Sequence, residues 1–162
     1  MIVVSDASPL AALSFIYQID LLPTLYGQVL IPEVVWQEVA LEGAGQLGRE
    51  ILLKSDWLKR HTVKNRQLVT ALLQDLDHGE SEAIALAIEE NADLLIMDER
   101  MGRRTAQHFG LNVIGVIGVL IEAKHRGILN EIKPFLDQLR DIAGFRISFA
   151  LYQRVLADEK EK

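Results

Sequence analysis

The sequence predicts a three-layer α/β domain, a mainly parallel central sheet flanked by helices, and three observations carry that prediction. Residues 2–4 and 94–97 are short apolar runs without polar alternation, the composition of strands covered on both faces. Elsewhere apolar residues recur every three or four positions, as Ala83, Ile84, Ala87 and Ile88 do, which is the period of an amphipathic helix. The two patterns alternate along the chain, as expected where helical crossovers join parallel strands.

Taken in order, residues 2–4 make the first strand, which stops at Ser5-Asp6. Ser8-Pro9 suits a helix start, with serine as N-cap and proline at the first helical position, and Leu10, Leu13 and Tyr17 continue a short amphipathic helix. Residues 21–26 form a second helix ended by Gly27, and residues 28–31 a second strand closed by Pro32, which cannot donate within a ladder. A helix over 33–41 turns Val34, Val35 and Val39 inward. Gly43, Gly45 and Gly48 loosen the link to a helix over about 49–54, followed by an edge strand at 57–63 and a helix at 65–76. A helix opening at Gly79 leads to the buried strand 94–97, which ends abruptly at Asp98-Glu99. Beyond it lie a helix at 101–109 capped by Gly110, a last strand at 112–116, helices at 119–126 and 131–139, and a Ser148-capped helix at 149–157. One domain over residues 1–162 is expected, with the charged tail from Asp158 to Lys162 frayed.

Composition narrows the chemistry. With 162 residues, 49% of them hydrophobic, the chain is long enough to bury about 70% of its unfolded surface. It has no cysteine, which excludes disulfides, thiolate zinc sites and cysteine nucleophiles, and restricts any metal to oxygen or histidine ligands, favouring hard cations such as Mg²⁺ or Mn²⁺. The longest nearly unbroken apolar run, 113–121, is too short for a membrane span, and no basic n-region precedes the first strand, so a cytoplasmic protein is expected. A net charge of −6 argues against indiscriminate binding to phosphate backbones; a nucleic-acid ligand needs a cation or a local basic patch.

Four carboxylates stand out by position. Asp6 and Asp98 lie just past strand ends, where the ligand crevice of an open α/β sheet is found. Glu80 and Glu38 lean onto the apolar faces of their helices, with Glu42 extending the face of Glu38. Each has an ordinary alternative: Asp6 and Asp98 as helix caps, Glu80 as a first-turn acid favoured by the helix dipole, Glu38 as a stripe boundary. Together they point further, because buried acids destabilise unless paired and no lysine or arginine occupies a comparable inward position. A divalent cation is the natural partner, and Mg²⁺ bound by a few carboxylates while engaging phosphate oxygens is an arrangement that hydrolyses phosphodiesters.

In order and spacing these motifs resemble the PIN-domain ribonucleases, in particular the VapC-like toxins. The resemblance rests on Asp6 with Ser8 two residues on, PEVVWQE at 32–38, GESEAIALA at 79–87 and LLIMDER at 94–100, with the tail GFRISFALYQRVL similar to one branch. It implies metal-binding and catalytic acids at Asp6, Glu38 and Asp98, with the helix-start acid at Glu80 or Glu82. Glu80 is preferred, since Glu82 shares a face with Ala85, Leu86 and Glu89. Many relatives carry aspartate there, so a glutamate changes the reach of that ligand. Glu99 corresponds to a further acid of the family, and Ser8 to a residue holding a water or a carboxylate. The resemblance implies hydrolysis of RNA with Mg²⁺ or Mn²⁺, a small antitoxin as restraining partner and a homodimer. The competing function is a catalytically silent PIN-fold module that binds RNA or protein.

Among the basic residues, Arg100 and Arg104 share a helix face well placed for RNA phosphates, while Arg103 reads as solvated. An aromatic content of 6%, and its placement, shows no base-stacking platform. His78 reads as a turn residue, there being no serine or cysteine nucleophile in an elbow. A haloacid-dehalogenase-type phosphotransferase would need a second aspartate where Ser8 stands, and a response-regulator receiver would need adjacent acids after the first strand where Ala7 stands.

Overall fold

A computed structural model describes the backbone of residues 1–43 and 45–162 and, outside 41–47, their side chains. Its centre is a five-stranded sheet in the order β3-β2-β1-β4-β5, with β1 Val3–Ser5, β2 Val29–Pro32, β3 Leu58–His61, β4 Leu94–Ile96 and β5 Val113–Ile114, every neighbouring pair parallel. Val3 and Ile96 join the core on one face, and Val4 and Leu95 the core on the other. Successive side chains of a strand point to opposite faces, so a strand covered twice must be apolar throughout, which is why these runs do not alternate.

Helices cover both faces. Against Val3 and Ile96 pack α1 Ala7–Phe15, α2 Leu21–Tyr26, α3 Glu33–Gln37, α4 Gly45–Leu53, and later α8 Val116–His125, α9 Lys133–Asp141 and α10 Phe149–Asp158. Against Val4 and Leu95 pack α5 Arg66–Leu72, α6 His78–Glu89 and α7 Arg100–His108. The expected α/β architecture with a parallel central sheet is thus the one observed, and residues 57–63 hold its edge strand, β3. Among the described residues no helix is long and apolar enough to cross a membrane.

Five local expectations are corrected. Ser8 is not the cap of α1: the helix begins at Ala7, Asp6 occupies the N-cap position, and Ser8 is exposed in the first turn. The helix over 33–41 stops being α-helical at Glu38 and continues as a π-helical stretch, Glu38–Gly43, a widened turn often found at functional sites. The glycine-rich link does not separate helices as expected, because α4 takes in both Gly45 and Gly48. The helix expected at 119–126 opens three residues earlier, at Val116, because the Asp98 carboxylate accepts the Val116 N–H at 2.9 Å. The tail expected to fray is tied down: Glu161 accepts from Lys124 Nζ at 2.8 Å and from the N–H groups of Ile132 and Lys133. The side chain of Glu42 lies outside the described residues.

Candidate active site

The chain leaves β1 for β2 and β3 on one side and returns to β4 on the other, so the sheet has its topological switch between β1 and β4. Crevices open at such a point, beyond the carboxyl ends of the strands. Ser5 pairs with Ile96, and the Asp6 N–H donates to the Ile96 carbonyl at 2.9 Å, which sets the two strand ends side by side. Asp6 and Asp98 both line the cavity there, of about 740 Å³, and Glu38 joins them from the end of α3 and Glu80 from α6. Ser8 and Glu99 are at its wall. So is Asp77, which sequence reasoning passed over.

Each acid is placed by a local device. Glu80 closes a capping box at the start of α6: its N–H donates to Asp77 Oδ1 at 2.8 Å while its Oε1 accepts the Asp77 N–H at 3.0 Å. Glu99, not Asp98, caps α7, accepting the Gly102 N–H at 2.6 Å. Asp98 is thereby free of that duty and is aimed by α8: Oδ1 takes the Val116 N–H, and Oδ2 is buried with no hydrogen-bond partner among the described residues. Asp6 sits at the N-cap of α1 without a side-chain capping bond. Glu38 lies against Gly79, where an added Cβ would come within 2.6 Å of its carboxylate. That contact explains the glycine in the GES motif, and it sets an acid at a helix N-terminus, where the dipole favours it.

Burial leaves Asp6, Asp98 and Glu80 reluctant to ionise, and repulsion from neighbouring acids adds to it at Asp6 and Glu80. Burial, with Glu80, Asp77 and Glu38 adding like-charge repulsion, pushes the Asp6 carboxyl up to about 7, although the Ala7 N–H opposes it. Burial likewise raises Asp98 to about 6, against the Val116 N–H and the Arg103 guanidinium, which both favour the anion. Glu80 is raised mainly by burial as well, with Asp77 and Glu99 as repelling neighbours.

Several residues fall elsewhere than expected. Glu82 is not at the cavity: it pairs with His78 Nε2 at 2.7 Å and Arg66 Nη1 at 3.2 Å. Nor does its face set it apart from Glu80, because α6 is buried on every side from Gly79 to Ala87. Arg100 and Arg104 are exposed and away from the lining, whereas Arg103, read as solvated, is half-buried and donates from Nη1 to the Met97 carbonyl at 3.1 Å. Phe145 and Arg146 also reach the cavity from the link between α9 and α10. Both lie in the tail motif GFRISFALYQRVL, which carried no site assignment.

The family model DUF3368, described as a PIN domain, matches residues 2–161. The chain belongs to the PIN-domain family. Compared with curated proteins, it matches none. PIN domains are generally nucleases and typically use divalent metal ions. The residues of this PIN domain fit such an ion: the acids are oxygen donors suited to a hard cation, Asp6 is crowded by three other carboxylates, and Asp98 keeps a buried oxygen without a partner. Among the described residues no three acids already stand in ligating arrangement, and a cation such as Mg²⁺ is commonly held by one or two carboxylates with waters completing its shell.

The Gly79 contact is testable in this PIN domain. In Gly79→Ala the new methyl displaces the flexible end of Glu38 rather than backbone, and alanine favours helix by about 1 kcal/mol over glycine. The expected outcome is a melting temperature unchanged or slightly raised, with Mn²⁺ affinity by calorimetry reduced about tenfold. Unchanged affinity would show that Glu38 does not need its place against α6.

Proposed function

We propose that this PIN domain is a Mg²⁺- or Mn²⁺-dependent endoribonuclease, the toxin of a type II toxin–antitoxin pair. The observation that carries the reading is the convergence of Asp6, Glu38, Glu80 and Asp98, from four separate segments, on the cavity at the topological switch. In this reading Asp6 and Asp98 hold the cation, with Glu38 and Glu80 completing the site. A divalent cation, when bound, lowers the pKa of water and neutralises charge developing on a phosphate. The chain's own residues hold and orient: the Val116 N–H fixes the Asp98 carboxylate, Asp77 fixes Glu80, and Gly79 makes room for Glu38. Purified protein with Mn²⁺ should cut labelled RNA internally, and chelator should stop it; RNA left intact with both Mg²⁺ and Mn²⁺ would overturn the proposal.

A silent binding module is favoured by one observation, that Glu80 and Glu99 already serve as helix caps and no ligating group of three acids is preformed among the described residues. Calorimetry separates the readings, because a silent module should take up no Mn²⁺. The toxin assignment carries two partners with it, a second copy of the chain and a small antitoxin, in the cytoplasm. Expression alone should arrest growth and light scattering should give a dimer; harmless expression of an RNA-cutting protein would remove the toxin role and leave the ribonuclease.

A further inference from the structure

A second cavity, of about 390 Å³, opens beside the acids. The two cavities share Asp98, Phe145 and Arg146 and are therefore contiguous. Apolar side chains, Ile117 of α8 and Leu151 of α10 among them, wall the second, and Arg103 and Arg146 bring it two positive charges on a chain of net −6. Arg103 is held in place by the Met97 carbonyl, and Gly115 lets the Asp98 carboxylate and the Arg103 guanidinium pack against its backbone, since a Cβ there would run into both. The volume lies within the roughly 300–1,000 Å³ typical of small-ligand pockets.

Apolar walls, an aromatic ring and donor-only guanidinium groups, set next to a carboxylate cluster, match a flat apolar ring carrying phosphates. We propose that the second cavity is a nucleobase subsite. With a phosphodiester of single-stranded RNA over the carboxylates, the base of the adjoining nucleotide enters the cavity against Phe145, and Arg103 and Arg146 meet the flanking phosphates. The inference rests on the ribonuclease reading, and it replaces Arg100 and Arg104 with a different pair of arginines and supplies the stacking residue that composition does not reveal.

The test compares a fluorescent oligoribonucleotide with an abasic strand of equal length and phosphate count, by anisotropy, in chelator and at low ionic strength. The strand with bases should bind about tenfold more tightly. Ile117→Phe and Leu151→Phe, which fill the cavity from two different helices, should each abolish that preference and leave the abasic strand unaffected. Phe145→Leu should weaken the preference, and Arg103→Gln should weaken both strands alike. Equal binding of the two strands by the unaltered protein, or a preference kept by both folded filling variants, would overturn the subsite. Hydrolysis of bis(p-nitrophenyl) phosphate with Mn²⁺ reads the acids without bases. Hydrolysis without base preference removes the subsite alone, whereas base preference without hydrolysis removes the ribonuclease reading and leaves a binding site.

Discussion

Asp98→Asn and Asp6→Asn are each expected to reduce RNA cleavage by the Mn²⁺-supplied protein on the order of 10²–10³-fold, with an unchanged circular dichroism spectrum. Both changes are nearly isosteric, and asparagine at 98 keeps an oxygen for the Val116 N–H, so the start of α8 survives. What is lost is the negative charge at the two strand ends, where the proposed chemistry needs it. Glu82→Gln is the control. It removes a buried acid of the same helix as Glu80, but one whose partners are His78 and Arg66, so cleavage should stay within about twofold and only a modest loss of stability should follow. If Glu82→Gln silences cutting while Asp98→Asn does not, the site lies on the wrong side of α6.

The contrast between those two glutamates marks how far the sequence could be read. Asp6 and Asp98 were legible because apolar runs of a doubly covered strand stop sharply, and the parallel pairing of β1 with β4 then brings the two ends together. Glu80 was legible through its motif, but not through a stripe, because α6 has no solvent face from Gly79 to Ala87. Arg103 was read as solvated for a related reason. The buried side of α7 is made by Gly102 and Ala106, residues too small to write an apolar period, so nothing in the pattern shows which way its neighbour turns. The early start of α8 depends on a contact between residues far apart in sequence. Asp98 in particular caps a helix eighteen residues away, which no local rule finds.

In chelator the protein is expected to melt several degrees lower at pH 8 than at pH 5, and Mn²⁺ should narrow that gap. Asp6 and Asp98 have native pKa values of about 7 and about 6 against an ordinary 3.8, so the folded state binds protons that the unfolded chain has released. Their stabilisation is complete below about pH 3.8 and lost as the pH rises through 6 and 7. Glu80, also raised, acts in the same direction. Asp141 and Glu161 are shifted the other way and lose their contribution only on falling below their ordinary values of 3.8 and 4.5, outside this window. At roughly 1.4 kcal/mol per pKa unit the change between pH 5 and 8 is on the order of 3 kcal/mol, or about 5–10 °C. The acids differ in why they are strained. Asp6 is repelled by Glu80, Asp77 and Glu38, whereas Asp98 has Arg103 beside it and is raised by burial alone. Asp6→Asn should therefore raise the melting temperature at pH 8 in chelator more than Asp98→Asn does, and should flatten most of the pH dependence. Mn²⁺ at a hundredfold excess over its Kd adds about 2.7 kcal/mol to the native state, and adds less at pH 5, where protons compete for the same oxygens. A melting temperature that climbs from pH 5 to pH 8 in chelator, or an Asp6→Asn variant that melts lower than the unaltered protein at pH 8, would mean that the carboxylates are neutralised within the scaffold and no cation is needed to hold them together.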